Sequence, residues 1–292
     1  MSVSKDIYNI LQIMKVFTTY DVDWTCQLLS KVFCEDITLG NVEESEILFE
    51  TIDDYMRYIC MKKWKYAGLI SFEPYHHEHI PYDFILCGNL KQGPPNKLVP
   101  FYQIDTMINF GKNIPIFPKG LPIPQKFACA LVGNPMCLER NTIMRMLLEL
   151  GLLDSWGKLF NNTNSTGDGF YGDKNELISQ YKFYICFENS SHDAYLSEKI
   201  LDALNNNVIP VYYGCKNIHK YFNVRRMLLL EDTTDEGYIN LIRKMITIGQ
   251  NEELYREIIS EPIFNESGPM NSMESMADMI RTKLGLDLPE IQ

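Results

Sequence analysis

The sequence predicts an α/β fold in two domains, each built on a mainly parallel sheet with helices on both faces. Short apolar runs alternate with stretches of helical period along most of the chain, the rhythm of strand–helix–strand crossovers. A Pro- and Gly-rich passage at 91–125 interrupts that rhythm, which then restarts. At 292 residues the chain also exceeds the usual size of one compact domain.

In order, residues 14–20 (MKVFTTY) read as a first strand and Trp24 to Phe33 as the helix after it. Ile47 to Glu50 and Trp64 to Phe72 read as strands on either side of a helical run, Asp53 to Lys63, and Tyr82 to Cys87 as a short strand closing at Gly88-Asn89. KQGPP and GKNIPIFPKGLPIPQ then cluster Pro and Gly, which excludes a regular helix or a central strand and marks an interdomain passage. Beyond it come Lys126 to Val132 as a strand, Arg140 to Leu150 as a helix, and a polar, Gly-rich surface loop at 161–173. Tyr181 to Phe187 is an aromatic-rich run fit for a buried strand. It is followed by a helix-like stretch, Leu196 to Asn206, and by strands at Val208 to Tyr213 and Met227 to Leu230. From Tyr238 onward helix formers and apolar residues recur at helical spacing.

Hydrophobic residues make up 46% of the chain and aromatics 12%, enough for real cores. A net charge of −11 with a pI near 5.0 argues against DNA, RNA or an anionic membrane surface as partner, while leaving room for a basic pocket facing a small phosphorylated ligand. The eight cysteines include no CxxC pair and no zinc-ligand spacing, and are expected to be reduced, packed thiols. No apolar run approaches the ~18 residues of a membrane span and no signal-peptide core opens the chain, so a soluble, cytoplasmic protein is expected.

The polar residues gather in one place. Glu188-Asn189-Ser190 ends the aromatic run, a short loop carries His192 and Asp193, and Tyr195, Ser197, Glu198 and Lys199 open the next helical stretch. In parallel α/β sheets ligands sit at this carboxyl-end crevice. A helix start at Leu196 would crowd Tyr195, Glu198 and Lys199 at its entrance, with Lys199 suited to an anion; a solvated lysine paired with Asp193 or Glu198 is the alternative. Glu198 equally fits a capping box, and Asn189 a turn former. Arg140 lies in LVGNPMCLERN, a strand, a loop and a helix start, where pairing with Glu139 or an acidic helix would be its ordinary use. In GLISFEPYHHEHIPYDF, Glu73 ends an apolar strand, with Glu78 five residues on.

FEN-S, Y-L-S-E-K and V-I-P-V-x-x-G, in that order within residues 181–214, resemble the donor-binding signature of the α-1,3/1,4-fucosyltransferases, glycosyltransferase family 10. The resemblance implies a GT-B architecture, two Rossmann-like domains facing across a cleft. Residues 1–115 would be the acceptor-binding domain and 116–270 the GDP-fucose-binding domain, with 91–125 as the passage and 271–292 as a C-terminal helix and tail. It implies an inverting transfer of L-fucose from GDP-fucose to an acceptor glycan, α-1,3 or α-1,4 to N-acetylglucosamine or a related sugar, with no tightly bound cofactor and no essential metal. By resemblance Arg140 and Lys199 grip the diphosphate, Asn189 and Tyr195 shape the donor pocket, and Glu198 reaches ribose or fucose hydroxyls. Glu73 is the general base, with Glu78 second. The competing readings are a GT-B enzyme with another nucleotide-sugar donor and a catalytically silent carbohydrate- or nucleotide-binding relative. His76, His77 and His79 with Glu78 suit an acceptor-contacting or solvated loop better than a zinc site. The D-x-D at Asp21-Val22-Asp23, far from the signature, reads as a loop.

Overall fold

The structure, a computed structural model, describes residues 13–54, 56–73, 81–91, 96–102, 122–163, 173–265 and 272–287. The chain divides into two compact units: unit 1 comprises Met1–Tyr102 together with Asn271–Gln292, and unit 2 comprises Gln103–Met270.

Unit 1 holds six parallel strands, β1 (Met14–Thr18), β2 (Ile37–Leu39), β3 (Ile47–Thr51), β4 (Tyr66–Ile70), β5 (Phe84–Cys87) and β6 (Leu98–Pro100), in the order β2-β1-β3-β4-β5-β6. After β1 comes α1 (Val22–Phe33). Asp21, expected in a loop, caps this helix by accepting the Trp24 backbone N–H at 2.9 Å, and Asp23 lies in its first turn, where acids favour the helix dipole. Trp24, Leu28 and Val32 recur at helical spacing on the buried face. The last helix, Met273–Leu284, packs against α1 and adds Met276, Ala277 and Ile280 to the core that holds Trp24, Leu28 and Val32. Gly68 lies in β4 because an added Cβ there would stand 2.3 Å from the Phe84 ring.

One further expectation for this unit fails. The helical run predicted at 53–63 is a 3-10 turn, Ile52–Asp54, followed by hydrogen-bonded turns among the described residues. Its backbone donors are diverted: Tyr58 N–H goes to Glu50 Oε1 at 2.7 Å and Met56 N–H to Tyr82 Oη at 3.3 Å, with Met56 at φ 63°. Within the Pro-rich passage β6 lies on the sheet edge, where Pro100 leaves no ladder donor missing, which agrees with the exclusion of a central strand.

Unit 2 runs β7 (Lys126–Ala130), α2 (Leu138–Glu149), β8 (Leu153–Ser155), α3 (Lys174–Ile178), β9 (Tyr181–Ile185), α4 (Lys199–Leu204), β10 (Ile209–Tyr212), α5 (Ile218–Tyr221), β11 (Leu228–Leu229), α6 (Asp235–Gln250) and α7 (Glu252–Ser260). The helix Met273–Leu284 is α8. The five strands are parallel, in the order β11-β10-β9-β7-β8. After β7 the chain adds β8 on one side and then β9 on the other, so the order reverses between β7 and β9. That reversal point, at the carboxyl ends of the strands, is where such sheets bind ligands. Among the described residues no helix is long and apolar enough to cross a membrane, and no group of three His, Cys, Asp or Glu is placed to hold a metal. The eight cysteines are free thiols, five of them buried.

Candidate active site

Side chains join the two arms of the unit 2 reversal point. The chain leaves β7 through Val132-Gly133-Asn134-Pro135-Met136 and enters α2, which Cys137 caps by accepting the Arg140 backbone N–H on Sγ at 3.4 Å. This puts Arg140 in the first turn with its side chain buried. Nη1 donates to Asn189 Oδ1 at 3.0 Å and to the Phe187 carbonyl at 3.3 Å, and Nη2 donates to the Asn134 carbonyl. One guanidinium thus ties the loop after β7 to the loop after β9. Its Nε is buried with no hydrogen-bond partner among the described residues, as is Ser190 Oγ. Burial holds the arginine below its ordinary pKa, opposed by Cys137, Glu188 and Tyr195 within electrostatic reach. Glu139 does not compete for the guanidinium: Tyr213 donates its O–H to Glu139 Oε1 at 2.9 Å.

A second knot lies beside the first. Glu188, three residues past the end of β9, is wholly buried. Its Oε1 accepts the Ser197 backbone N–H at 2.8 Å, and its Oε2 accepts the Ser197 hydroxyl at 2.7 Å and Lys199 Nζ at 3.1 Å. Lys199 Nζ also donates to Ser197 Oγ at 2.8 Å. Burial pushes the Glu188 carboxyl above the usual carboxylate range, against the pull of Lys199 and Ser197. Lys199 pairs with Glu188 rather than with Asp193 or Glu198.

The helix start also differs from expectation. Tyr195, Leu196 and Ser197 are buried in an irregular segment whose serine is spent on Glu188, and α4 begins only at Lys199. Glu198 precedes the helix and makes no capping bond, so the capping-box expectation is wrong and its half-buried carboxylate has no helix-end duty. Tyr195 meets His192 edge to face, ring centroids 6.5 Å apart. Next to these residues a pocket of about 540 Å³ opens over the ends of β10 and β11, lined by Ser191, Tyr213, Gly214, Lys216, His219 and Glu231 among others.

Of the residues singled out from sequence, Arg140 and Asn189 are in direct contact, Tyr195 lies within electrostatic reach of Arg140, and Glu198 adjoins Lys199. Glu73 belongs to unit 1. It lies just beyond β4 in a bend where the Ser71 hydroxyl donates to the Glu73 carbonyl at 2.7 Å, with its side chain exposed. Glu78, His76, His77 and His79 fall outside the described residues. Glu188 and Ser197 carry no role in the sequence reading, because the bonds that join them depend on the chain folding back over nine residues.

Residues 123–260 match the family model described as glycosyltransferase family 10 (fucosyltransferase) C-term. A putative fucosyltransferase of Acanthamoeba polyphaga mimivirus is 29% identical over 170 residues, 56% of this chain and 28% of that protein. An alpha-(1,3)-fucosyltransferase of Helicobacter pylori is 29% identical over 158 residues, 53% of this chain and 30% of that protein. The match thus spans under a third of either relative's length. A crystal structure of an alpha1,3-fucosyltransferase with GDP-fucose superposes with a TM-score of 0.67 over 95% of this chain and 92% of that one, at 17% identity. That likeness is one of fold, and the fold is GT-B.

Proposed function

We propose that this chain, which carries over residues 123–260 the C-terminal domain of glycosyltransferase family 10, moves L-fucose from GDP-fucose to a hydroxyl of an acceptor glycan with inversion at the anomeric carbon. The acceptor we assign is N-acetylglucosamine or a related sugar, linked α-1,3 or α-1,4. The observation that carries the proposal is the pair of cations at the reversal point of the unit 2 sheet. Arg140 lies in the first turn of the helix after β7 and Lys199 opens the helix after β9; Glu188 bonds Lys199 and lies within electrostatic reach of Arg140. A solved protein of the same fold has been crystallised with GDP-fucose, which supports that donor.

The chemistry follows from the charges. As the acceptor oxygen bonds to the anomeric carbon, the bond from that carbon to the diphosphate oxygen breaks and its electron pair leaves with GDP. The growing negative charge favours fixed cations in a water-poor site. Arg140 offers a planar fork, held in place by Asn189, with a buried Nε that has no hydrogen-bond partner among the described residues. Lys199 offers a point charge, Tyr195 a wall for the nucleotide, and Glu198 a carboxylate for ribose or fucose hydroxyls. Glu73 takes the acceptor proton, the role that converts β-linked GDP-fucose into an α-fucoside.

Calorimetric titration with GDP-fucose, GDP, GDP-mannose and UDP-glucose tests this, with Lys199→Ala as control. Binding of GDP and GDP-fucose that the variant weakens by about tenfold or more supports the donor site. Binding of UDP-glucose in their place sinks the fucose assignment and leaves a GT-B enzyme with another donor. Binding of none sinks the donor site and leaves a silent relative.

A further inference from the structure

We infer that Glu188 is a positioning residue for the donor phosphates, setting where the Lys199 ammonium stands before any ligand arrives. Resting on the donor-site assignment above, this adds a residue that touches no ligand itself. The Lys199 side chain is 26% exposed while the carboxylate that holds its ammonium is sealed at 0%, so a partly exposed cation is anchored on a buried acid. Ser197 completes the clamp by donating to Glu188 through both N–H and O–H and accepting from Lys199. A lysine stem is long and flexible, and ordering it in advance removes a cost that ligand binding would otherwise carry.

The clamp is itself wedged from behind. Gly214, at φ 151°, lies so close that an added Cβ would stand 2.4 Å from Glu188 Cγ. Tyr212 Oη, 3.5 Å from Glu188 Oε1, accepts the Cys215 backbone N–H at 3.0 Å and stiffens that wall. For packing alone a neutral side chain of the same shape would serve better, because burying a carboxylate is costly. The charge is therefore kept for its partner.

A double-mutant cycle on the full chain tests this, with GDP as the probe in calorimetry and thermal melting run in parallel. Glu188→Gln and Lys199→Met should each weaken GDP binding by about tenfold to a hundredfold, the range for a lost charged hydrogen bond. The double variant should bind within about twofold of Lys199→Met alone, since Glu188 acts only through that lysine. Full additivity overturns the proposal, because a purely structural loss would add. So does a Glu188→Gln variant that binds like wild type while Lys199→Met does not. Should Glu188→Gln fail to fold, Ser197→Ala replaces it in the same cycle: a loss that vanishes in the Lys199→Met background supports the clamp, and one that persists overturns it. Wild-type protein that binds no GDP overturns the donor site itself, and the clamp falls with it.

Discussion

Unit 1 buries Glu50 in β3 and unit 2 buries Glu188 just past β9, and these two strands occupy the same place in their sheets, next to the point where the strand order reverses. Their partners differ. Glu50 accepts from the Tyr82 hydroxyl at 2.5 Å and the Tyr58 backbone N–H at 2.7 Å, both neutral. Glu188 spends its bonds on Ser197 and on a cation that reaches the surface. At the unit 1 reversal point neutral groups bond one another, Thr19 Oγ1 accepting the Thr51 backbone N–H at 2.9 Å, with Tyr20 and Phe72 rings 5.2 Å apart nearby. The reversal point of unit 2 instead gathers Arg140, Asn189 and Lys199. The same topology is filled once for stability and once for charge, so the chemistry lies in the side chains rather than in the fold.

The sharpest test of that division separates the units by what they lose. Glu73→Gln should lower turnover by about 10²–10⁴, the usual weight of a general base, while GDP affinity in calorimetry stays within about twofold. A parallel loss of GDP binding would break the division of labour. Next in size, Arg140→Met should weaken GDP binding by about a hundredfold, as expected for two charge-assisted hydrogen bonds. Arg226, equally buried in unit 2 and pushed down to about 10 by its burial, is the control. Arg226→Met should leave GDP affinity unchanged, and equal losses at both arginines would mean that burial rather than place is what matters.

Gly214→Ala keeps every charge but pushes Glu188 aside, and should weaken GDP binding by about tenfold, on the order of one displaced charged contact. The smallest effect belongs to Glu50→Gln. Burial raises the folded-state pKa of Glu50, with nearby Asp54 adding to the shift. Its favourable contribution is therefore complete below the ordinary glutamate range and fades as pH rises through the raised value. The variant should melt about 2–4 °C higher than wild type at pH 7, roughly 1 kcal/mol, and the gap should close as pH falls toward 4.5. A gap that widens on acidification would show that Glu50 is wanted charged, like its counterpart.

The α/β rhythm was legible because buried parallel strands are near-continuous apolar runs, as at Phe84–Cys87 and Ile209–Tyr212, and each such run in the described residues is a strand. Short strands such as β2 and β8, each three residues, carry too little pattern to be seen. The helix expected at 53–63 fails through two side chains outside it, Glu50 just before and Tyr82 far along the chain, which take its backbone donors and which helical periodicity does not reveal. Arg140 and Asn189, singled out where motif and topology coincide, do meet in the structure. Glu188 escaped because its work depends on Ser197 folding back nine residues later, a contact that spacing does not announce.

The helix α8 has a consequence for how the molecule is made. Its Met276, Ala277 and Ile280 complete the core around Trp24 and Val32, yet all of unit 2 lies between them in the chain. A ribosome adding about 5–20 residues per second must spend roughly ten to thirty seconds on residues 103–272 while Trp24 waits for its cover. Unit 1, begun before unit 2, is thus finished after it. A chain stopped before α8 would leave unit 1 unsealed.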